Sequence, residues 1–192
     1  ELVEGNCGKK LKTKVPVSRT ELLLGLLRLF DGSTGASWGM GERILRILHG
    51  SLLTQPESNL SQENIAIVRK LIVHRDEKIK SLAVDVFSML LAQHPEFIPL
   101  EIARLHEMSA EEIKPHLLTI TLALKENQTI KISSVEFRKL VDATARVPGK
   151  VSGWACGRAL ANAPDLWNDM ILAIDKAADP IGTGLARQLN YA

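Results

Sequence analysis

Apolar residues recur along most of this chain at positions i, i+3, i+4 and i+7, the spacing that places them on one face of an α-helix. Short segments rich in polar residues, glycine or proline separate these stripes, and such segments favour turns. Almost nothing in the chain shows the alternation of a half-buried strand. The pattern therefore predicts an all-α protein built from successive helical hairpins.

Several predicted helices have a recognisable N-terminus. A Ser or Asp ahead of an apolar run is a favoured N-cap, and a Glu three residues later completes a capping box. The predicted N-caps are Ser18, Ser61, Asp76, Ser109 and Ser133. The predicted helices and short elements include about 19–31, 40–54, 76–93, 98–107, 110–126 and 151–162, with a further helix after Pro164 and a weak one over 179–192.

Pro115 complicates the helix that follows Ser109. Proline is harmless in the first turn of a helix, but inside a helix it removes a hydrogen bond and produces a kink. Two interpretations are open: the helix begins near Pro115, or it begins at Ser109 and is kinked. We favour the later start.

The spacing of the elements indicates a repeat. Element starts near 18, 61, 98, 133 and 164 are 43, 37, 35 and 31 residues apart, and helix-pair repeats have periods of roughly 33 to 47 residues. We therefore expect a basic flexible arm over 1–17 and one repeat domain over 18–192.

One segment resembles a known family. Asp76-Glu77-Lys78-Ile79-Lys80-Ser81-Leu82-Ala83, with the apolar face that continues to Leu90, resembles the second helix of a HEAT repeat, and 61–93 fit a two-helix unit. The resemblance to HEAT and armadillo repeats implies a right-handed α-solenoid of about four to five helix pairs. It also implies that second helices line a concave, partner-binding face.

The second helices supply the candidate partner-binding positions. By the resemblance they are about 40–54, 76–93, 110–126 and 151–162. Their polar residues on the implied concave face are Arg43, Arg46, Lys78, Lys80, Asp85, Lys114, Lys125 and Arg158.

Charge is unevenly distributed although the formal net charge is only +2. Residues 1–20 and 131–158 are basic, with five cations against two anions and six against two. The candidate basic patch comprises Lys9, Lys10, Lys12, Lys14, Arg138, Lys139, Arg146 and Lys150. Such regions attract anionic partners, so nucleic-acid binding is the alternative function.

Three tryptophans are candidate aromatic anchors. Trp38 lies in a predicted glycine-rich loop, where it is either a local plug or an exposed anchor. Trp154 and Trp167 flank a turn, and we expect their rings to pack on each other. If they are exposed beside Arg146, Lys150 and Arg158, they form a stacking platform for bases.

The sequence contains no recognisable catalytic or metal-binding motif. His74-Arg75-Asp76 lacks the asparagine, glycine-rich loop and Asp-Phe-Gly of a kinase, so we interpret it as a turn with an N-cap. The five histidines have no zinc-site spacing. Cys156 is the one nucleophile worth naming, and its small-residue surroundings indicate a buried, inert thiol.

We therefore expect a non-enzymatic scaffold, without cofactor or metal, that binds a protein or peptide through its concave surface. A helical-repeat enzyme is a third possibility, but no residue identifies its site. Cys7 and Cys156 lie far apart, which favours free thiols and a reducing compartment. Without a membrane-spanning run or a signal peptide, we expect an intracellular protein, cytoplasmic or nuclear.

Overall fold

The computed structural model describes residues 19–28, 35–54 and 62–176. Within these ranges the chain is helical and has no strand, so the all-α prediction is confirmed. The helices are α1 (Arg19–Arg28), α2 (Gly35–Thr54), α3 (Gln62–Leu71), α4 (Glu77–Gln93), α5 (Ile98–Arg104), α6 (Ala110–Glu126), α7 (Ser134–Arg146), α8 (Lys150–Asn162) and α9 (Trp167–Lys176). One-turn 3-10 helices occupy Pro95–Phe97, Leu105–Glu107 and Pro164–Leu166.

Some predicted features lie outside the described residues. They are the arm over 1–17, the N-caps Ser18 and Ser61, and the final helix over 179–192. No helix in the described ranges has the length and apolar character that a membrane crossing requires.

The other predicted caps are confirmed. The Asp76 side chain accepts hydrogen bonds from the backbone N–H groups of Lys78 and Ile79, at 3.0 Å each, and so starts α4. Ser109 and Ser133 begin α6 and α7 with reciprocal capping boxes. These bonds satisfy N–H groups that the first turn of a helix leaves unpaired.

Two predicted helix starts are wrong. Helix α2 begins at Gly35 rather than near residue 40, so Trp38 lies in a helix and not in a loop. Helix α6 begins at Ala110, which puts Pro115 inside it. The capping box stabilises this earlier start, and the carbonyl of Glu111 that the proline leaves unbonded belongs to an exposed residue that water can reach.

The helices contact one another in an alternating order. Each odd-numbered helix from α1 to α7 packs on the even-numbered helix that follows it, and α2, α4, α6 and α8 pack side by side in sequence. In the other row, α1 contacts α3, and α7 contacts both α5 and α9. The core between these helices is mainly aliphatic, with Phe87 and Phe137 its largest fully buried side chains.

Side-chain amides join the even-numbered helices at their C-terminal ends. Gln93 Nε2 donates to the carbonyl oxygen of Leu52 at 3.0 Å, which ties α4 to α2. Asn127 Nδ2 donates to that of Ala92 at 2.8 Å, and Asn162 Nδ2 to that of Leu124 at 3.0 Å. We call these three bonds the amide ladder. Its donors are 34 and 35 residues apart along the chain.

Candidate functional site

An open cleft of about 620 Å³ crosses the outer face of α4 and α6. It runs from the N-terminal ends of both helices, away from the amide ladder, and reaches the first turn of α8. Its lining residues are Val73, His74, Arg75, Glu77, Lys80, Ser81, Val84, Asp85, Glu111, Glu112, Lys114, Pro115, Leu118, Leu122 and Val151.

The cleft has apolar side chains between its charged ones. Leu118 and Leu122 are one helical turn apart on α6, and both are half-buried. Val84 of α4 and Val151 of α8 also line the cleft. Leu118, Leu122 and Val151 are only partly buried against the core, so they offer apolar contact to a partner, whereas Val84 is buried.

Charges of both signs surround these apolar residues. Glu77 forms an ion pair with Lys80. Glu112 accepts hydrogen bonds from the backbone N–H and the hydroxyl of Ser109, and these bonds lower the pKa of its carboxyl group. Asp85 and Lys114 form no ion pair with any residue that the structure describes. The unpaired charges remain available to a ligand.

Trp38 packs against the turn at one end of the cleft. The Arg75 guanidinium carbon lies 4.8 Å from the centroid of the Trp38 ring, a cation–π distance. The His74 ring meets the same indole edge to face, with centroids 5.6 Å apart. Of the two roles predicted for Trp38, this packing supports that of a local plug.

A stripe of three exposed side chains continues from the cleft along α8. Lys150, Trp154 and Arg158 are spaced four residues apart and therefore lie on one side of the helix. Trp154 is 43% exposed. Neither cation forms a hydrogen bond or an ion pair with another residue in the described ranges. We call these residues the α8 stripe.

The two tryptophans expected to pack together do not do so. Trp154 and Trp167 are 43% and 45% exposed, and within the described ranges their rings form no aromatic pair. They lie on different helices, α8 and α9, with the 3-10 helix Pro164–Leu166 between them.

The basic patch predicted over 131–158 is not one continuous surface. Arg138 forms a salt bridge with Asp169 at 2.7 Å, and its hydrogen bonds lower the pKa of that carboxyl group. Arg146 donates to the carbonyl oxygens of Leu105 and His106 at 3.0 and 3.2 Å, and also to that of Met108. Lys139 is exposed on α7, in the other row of helices from Lys150.

The remaining candidates are dispersed. On α2, Arg43 is exposed and Arg46 forms a salt bridge with Glu42 at 2.9 Å. Lys78 and Lys125 are exposed on α4 and α6 but do not line the cleft. Lys9, Lys10, Lys12 and Lys14 fall outside the described residues. The structure thus brings Lys80, Asp85 and Lys114 together in the cleft and places Arg158 in the α8 stripe.

A buried ionic cluster, which sequence reasoning missed, joins α3, α5 and α6. The Glu101 side chain is 1% exposed and accepts two hydrogen bonds from Arg69, one of them 3.0 Å long from Nε. His116 Nδ1 lies 3.7 Å from its carboxylate. Burial raises the pKa of Glu101, but the neighbouring His116 and the hydrogen-bonded Arg69 outweigh this effect, so the net shift is downward.

The signal for this cluster was present in the sequence. Glu101 lies three residues after Ile98 and one before Ile102, on the apolar stripe of α5, where a carboxylate requires a buried partner. The Arg69 guanidinium also lies 5.9 Å from the centroid of the Phe87 ring. The cluster is a packing element, because no cleft residue takes part in it.

No other group in the described ranges forms an evident reaction centre. Within them, no three His, Cys, Asp or Glu side chains are arranged to hold a metal ion. Cys156 is a buried free thiol beside Thr144, and burial raises its pKa to about 11. His94 is buried with Nδ1 3.2 Å from Glu96, and its Nε2 has no partner among the described residues.

Comparisons with models of known protein families, with curated proteins and with solved structures find no match for this chain.

Proposed function

We propose that this chain is a non-enzymatic scaffold of the right-handed α-solenoid type, related in architecture to HEAT and armadillo repeats. It binds an extended peptide segment of a partner protein in the cleft across α4 and α6. It acts inside the cell, in the cytoplasm or nucleus, a placement that the buried free thiol of Cys156 favours.

The alternating helix contacts support the solenoid part of this proposal. Successive odd–even pairs stack so that the even-numbered helices form one row, as in a linear array of hairpins. The amide ladder repeats with its donors 34 and 35 residues apart, within the period range of helix-pair repeats. The same kind of bond therefore recurs once per helix pair.

The observation that carries the functional proposal is the cleft itself. A groove of about 620 Å³ lined by the half-buried Leu118 and Leu122, and with charges of both signs around them, suits a peptide. Apolar side chains of the peptide gain binding energy in the groove, and its polar groups meet the charged residues.

Selection from a random peptide library displayed on phage, against the immobilised chain, tests the proposal. Ser81 is exposed on α4 and lines the cleft, so Ser81→Trp fills the groove. We expect the selected peptides to bind this variant at least about tenfold more weakly, which corresponds to about 1.4 kcal/mol. Lys139→Trp adds the same bulk to the exposed surface of α7 and serves as the control.

A charge-matched pair on one helix sharpens the test. Lys114 lines the cleft and Lys125 does not, although both are exposed on α6. Lys114→Glu is expected to change the affinity of the selected peptides, and Lys125→Glu to leave it within about twofold. Equal binding to Ser81→Trp and to the unmodified chain, with both folded by circular dichroism, would place the binding site elsewhere.

Nucleic-acid binding is the second candidate, and one observation favours it. Trp154 is exposed between Lys150 and Arg158, an arrangement suited to stacking a base between phosphate contacts. Affinity for a 15-nucleotide oligo-dT strand would then fall steeply between 50 and 200 mM salt, because phosphate contacts release counterions. The salt bridge of Arg138 and the carbonyl contacts of Arg146 weaken this candidate.

A further inference from the structure

We infer that the bound peptide has an apolar stretch in the cleft followed by an acidic stretch. The carboxylates of the acidic stretch lie over Lys150 and Arg158, on either side of Trp154. The inference rests on the proposed function, since it names the chemical class of the peptide for that same cleft.

The α8 stripe begins next to the cleft. Val151 lines the cleft in the first turn of α8, directly after Lys150. Helices α6 and α8 are packed side by side, and Asn162 near the end of α8 donates to Leu124 near the end of α6. On the proposed path, the peptide leaves the cleft past Val151 and continues along α8 over Trp154 and Arg158.

The positive charge of the α8 stripe favours an acidic peptide. Lys150 and Arg158 are exposed and form no ion pair with a residue in the described part of the chain. The first turn of α8 also has no acidic residue, whereas α4, α6 and α7 have at least one each. Asp85 and Glu111 lie instead within the cleft. An acidic segment is thus attracted to the α8 side.

The spacing of the two cations sets the register of the peptide. Arg158 follows Lys150 by eight positions in the α-helix, which corresponds to a rise of about 12 Å. An extended peptide covers this distance in about four residues, at roughly 3.3 Å each. Two acidic residues four positions apart therefore match the two cations, and the indole of Trp154 lies under the residues between them.

Mixed charge in the cleft favours a peptide over a nucleic acid. Asp85, Glu111 and Glu112 line the cleft and would repel a phosphate chain that followed the same path. A peptide avoids this repulsion because its own charges vary along its length. Apolar side chains are also the natural occupants of the surface formed by Leu118 and Leu122.

Three fluorescein-labelled 12-residue peptides test the inference by fluorescence anisotropy with the full chain. Each has a Leu-Ala-Leu core followed by two positions four residues apart, occupied by Glu, Gln or Lys. We expect the Glu peptide to bind about tenfold more tightly than the Lys peptide, with the Gln peptide between them.

Charge-reversal variants test whether Lys150 and Arg158 cause the preference for the Glu peptide. The double variant Lys150→Glu/Arg158→Glu is expected to abolish or invert the preference for Glu, and Lys139→Glu, the same change on α7, to preserve it. In a Trp38→Phe/Trp167→Phe chain, Trp154 is the remaining tryptophan, and the Glu peptide should reduce the quenching of its fluorescence by acrylamide. A purely structural role of Trp154 predicts no such protection.

The outcomes separate this inference from the proposed function. If the library-selected peptides lose affinity on Ser81→Trp but the Glu preference is absent or survives the double reversal, the cleft proposal stands and the inference is overturned. Failure of the Glu peptide to bind also overturns it. Tighter binding of oligo-dT than of the Glu peptide, lost in the double reversal, would assign the stripe to nucleic acid instead.

Discussion

The Glu101 carboxylate on α5 is bonded to the Arg69 guanidinium on α3 while its own side chain is 1% exposed. This buried ion pair joins two neighbouring helix pairs, α3–α4 and α5–α6, at a place where the short helix α5 offers little apolar surface. A buried ion pair is not necessarily stabilising compared with an apolar pair of the same size, but loss of one partner leaves an uncompensated charge.

Removal of the carboxylate should therefore destabilise the fold strongly. For Glu101→Ala we expect the free energy of unfolding to fall by about 3–5 kcal/mol, because Arg69 loses its partner in a mostly buried site. Urea denaturation followed by circular dichroism measures the change. Glu126→Ala, at an exposed position on α6, is the control and should change stability by less than about 0.5 kcal/mol. A loss below about 1 kcal/mol in Glu101→Ala would contradict this account.

The same carboxylate predicts how stability depends on pH. The pKa of Glu101 is lowered in the folded protein, so its contribution is fully present above the ordinary glutamate pKa of about 4.3 and is lost as the pH falls towards the lower folded value. We expect the stability difference between the unmodified chain and Glu101→Gln to be constant from pH 7 to about 5 and to shrink below about 4.3. Urea titrations of both chains at several pH values measure this. A stability difference that grows as the pH falls would contradict the lowered pKa of Glu101.

Cys156 should be unreactive in the folded protein. Its pKa of about 11 leaves about 0.1% of the thiol ionised at pH 8, and burial shields it further. In a Cys7→Ser chain, iodoacetamide at pH 8 is expected to label Cys156 only after urea is added, as detected by mass spectrometry. Rapid labelling without denaturant would show that α8 opens readily or that the thiol is accessible.

The amide ladder should contribute measurably to stability. Asn127→Asp removes the N–H donor to Ala92 and places a carboxylate against helix C-terminal carbonyls, while the acceptor for Thr129 remains. We expect a loss of about 1–3 kcal/mol at neutral pH. Gln128→Glu makes the same charge change at the neighbouring exposed position and should stay within about 0.5 kcal/mol. Equal losses of stability in the two variants would show that the hydrogen bond from Asn127 to Ala92 makes no specific contribution.

Local chemistry allowed much of the helical structure to be predicted from sequence. The capping boxes at Ser109 and Ser133 and the N-cap at Asp76 are confirmed because each involves residues only two or three positions apart. The errors have non-local or competing causes. Helix α2 extends to Gly35 although glycine disfavours helix, and Trp38 packs there against a turn 36 residues further along the chain.

The candidate site was predictable only in part. Outward positions on α4 and α6 follow from periodicity, and Lys80, Asp85 and Lys114 do line the cleft. That Arg138 and Arg146 are engaged elsewhere follows from contacts 31 to 41 residues away in sequence, which no local pattern encodes. The amide ladder does have one signal in the sequence, because Gln93 and Asn162 each precede a proline by two residues.

The amide ladder lies at the C-terminal ends of the even-numbered helices. Insertions are therefore expected to be tolerated less well at these ends than at the N-terminal ends. Each rung requires neighbouring helices to end level with each other, so one extra residue in α6 would rotate Asn127 by about 100° away from Ala92. The turn before α8 is under no such requirement, whereas Trp38 packs on the turn before α4 and Arg146 donates to carbonyls in the turn before α6. Variation in length is therefore expected in the turn before α8, close to Val151 of the cleft, where a change alters what the groove recognises without disturbing the amide ladder.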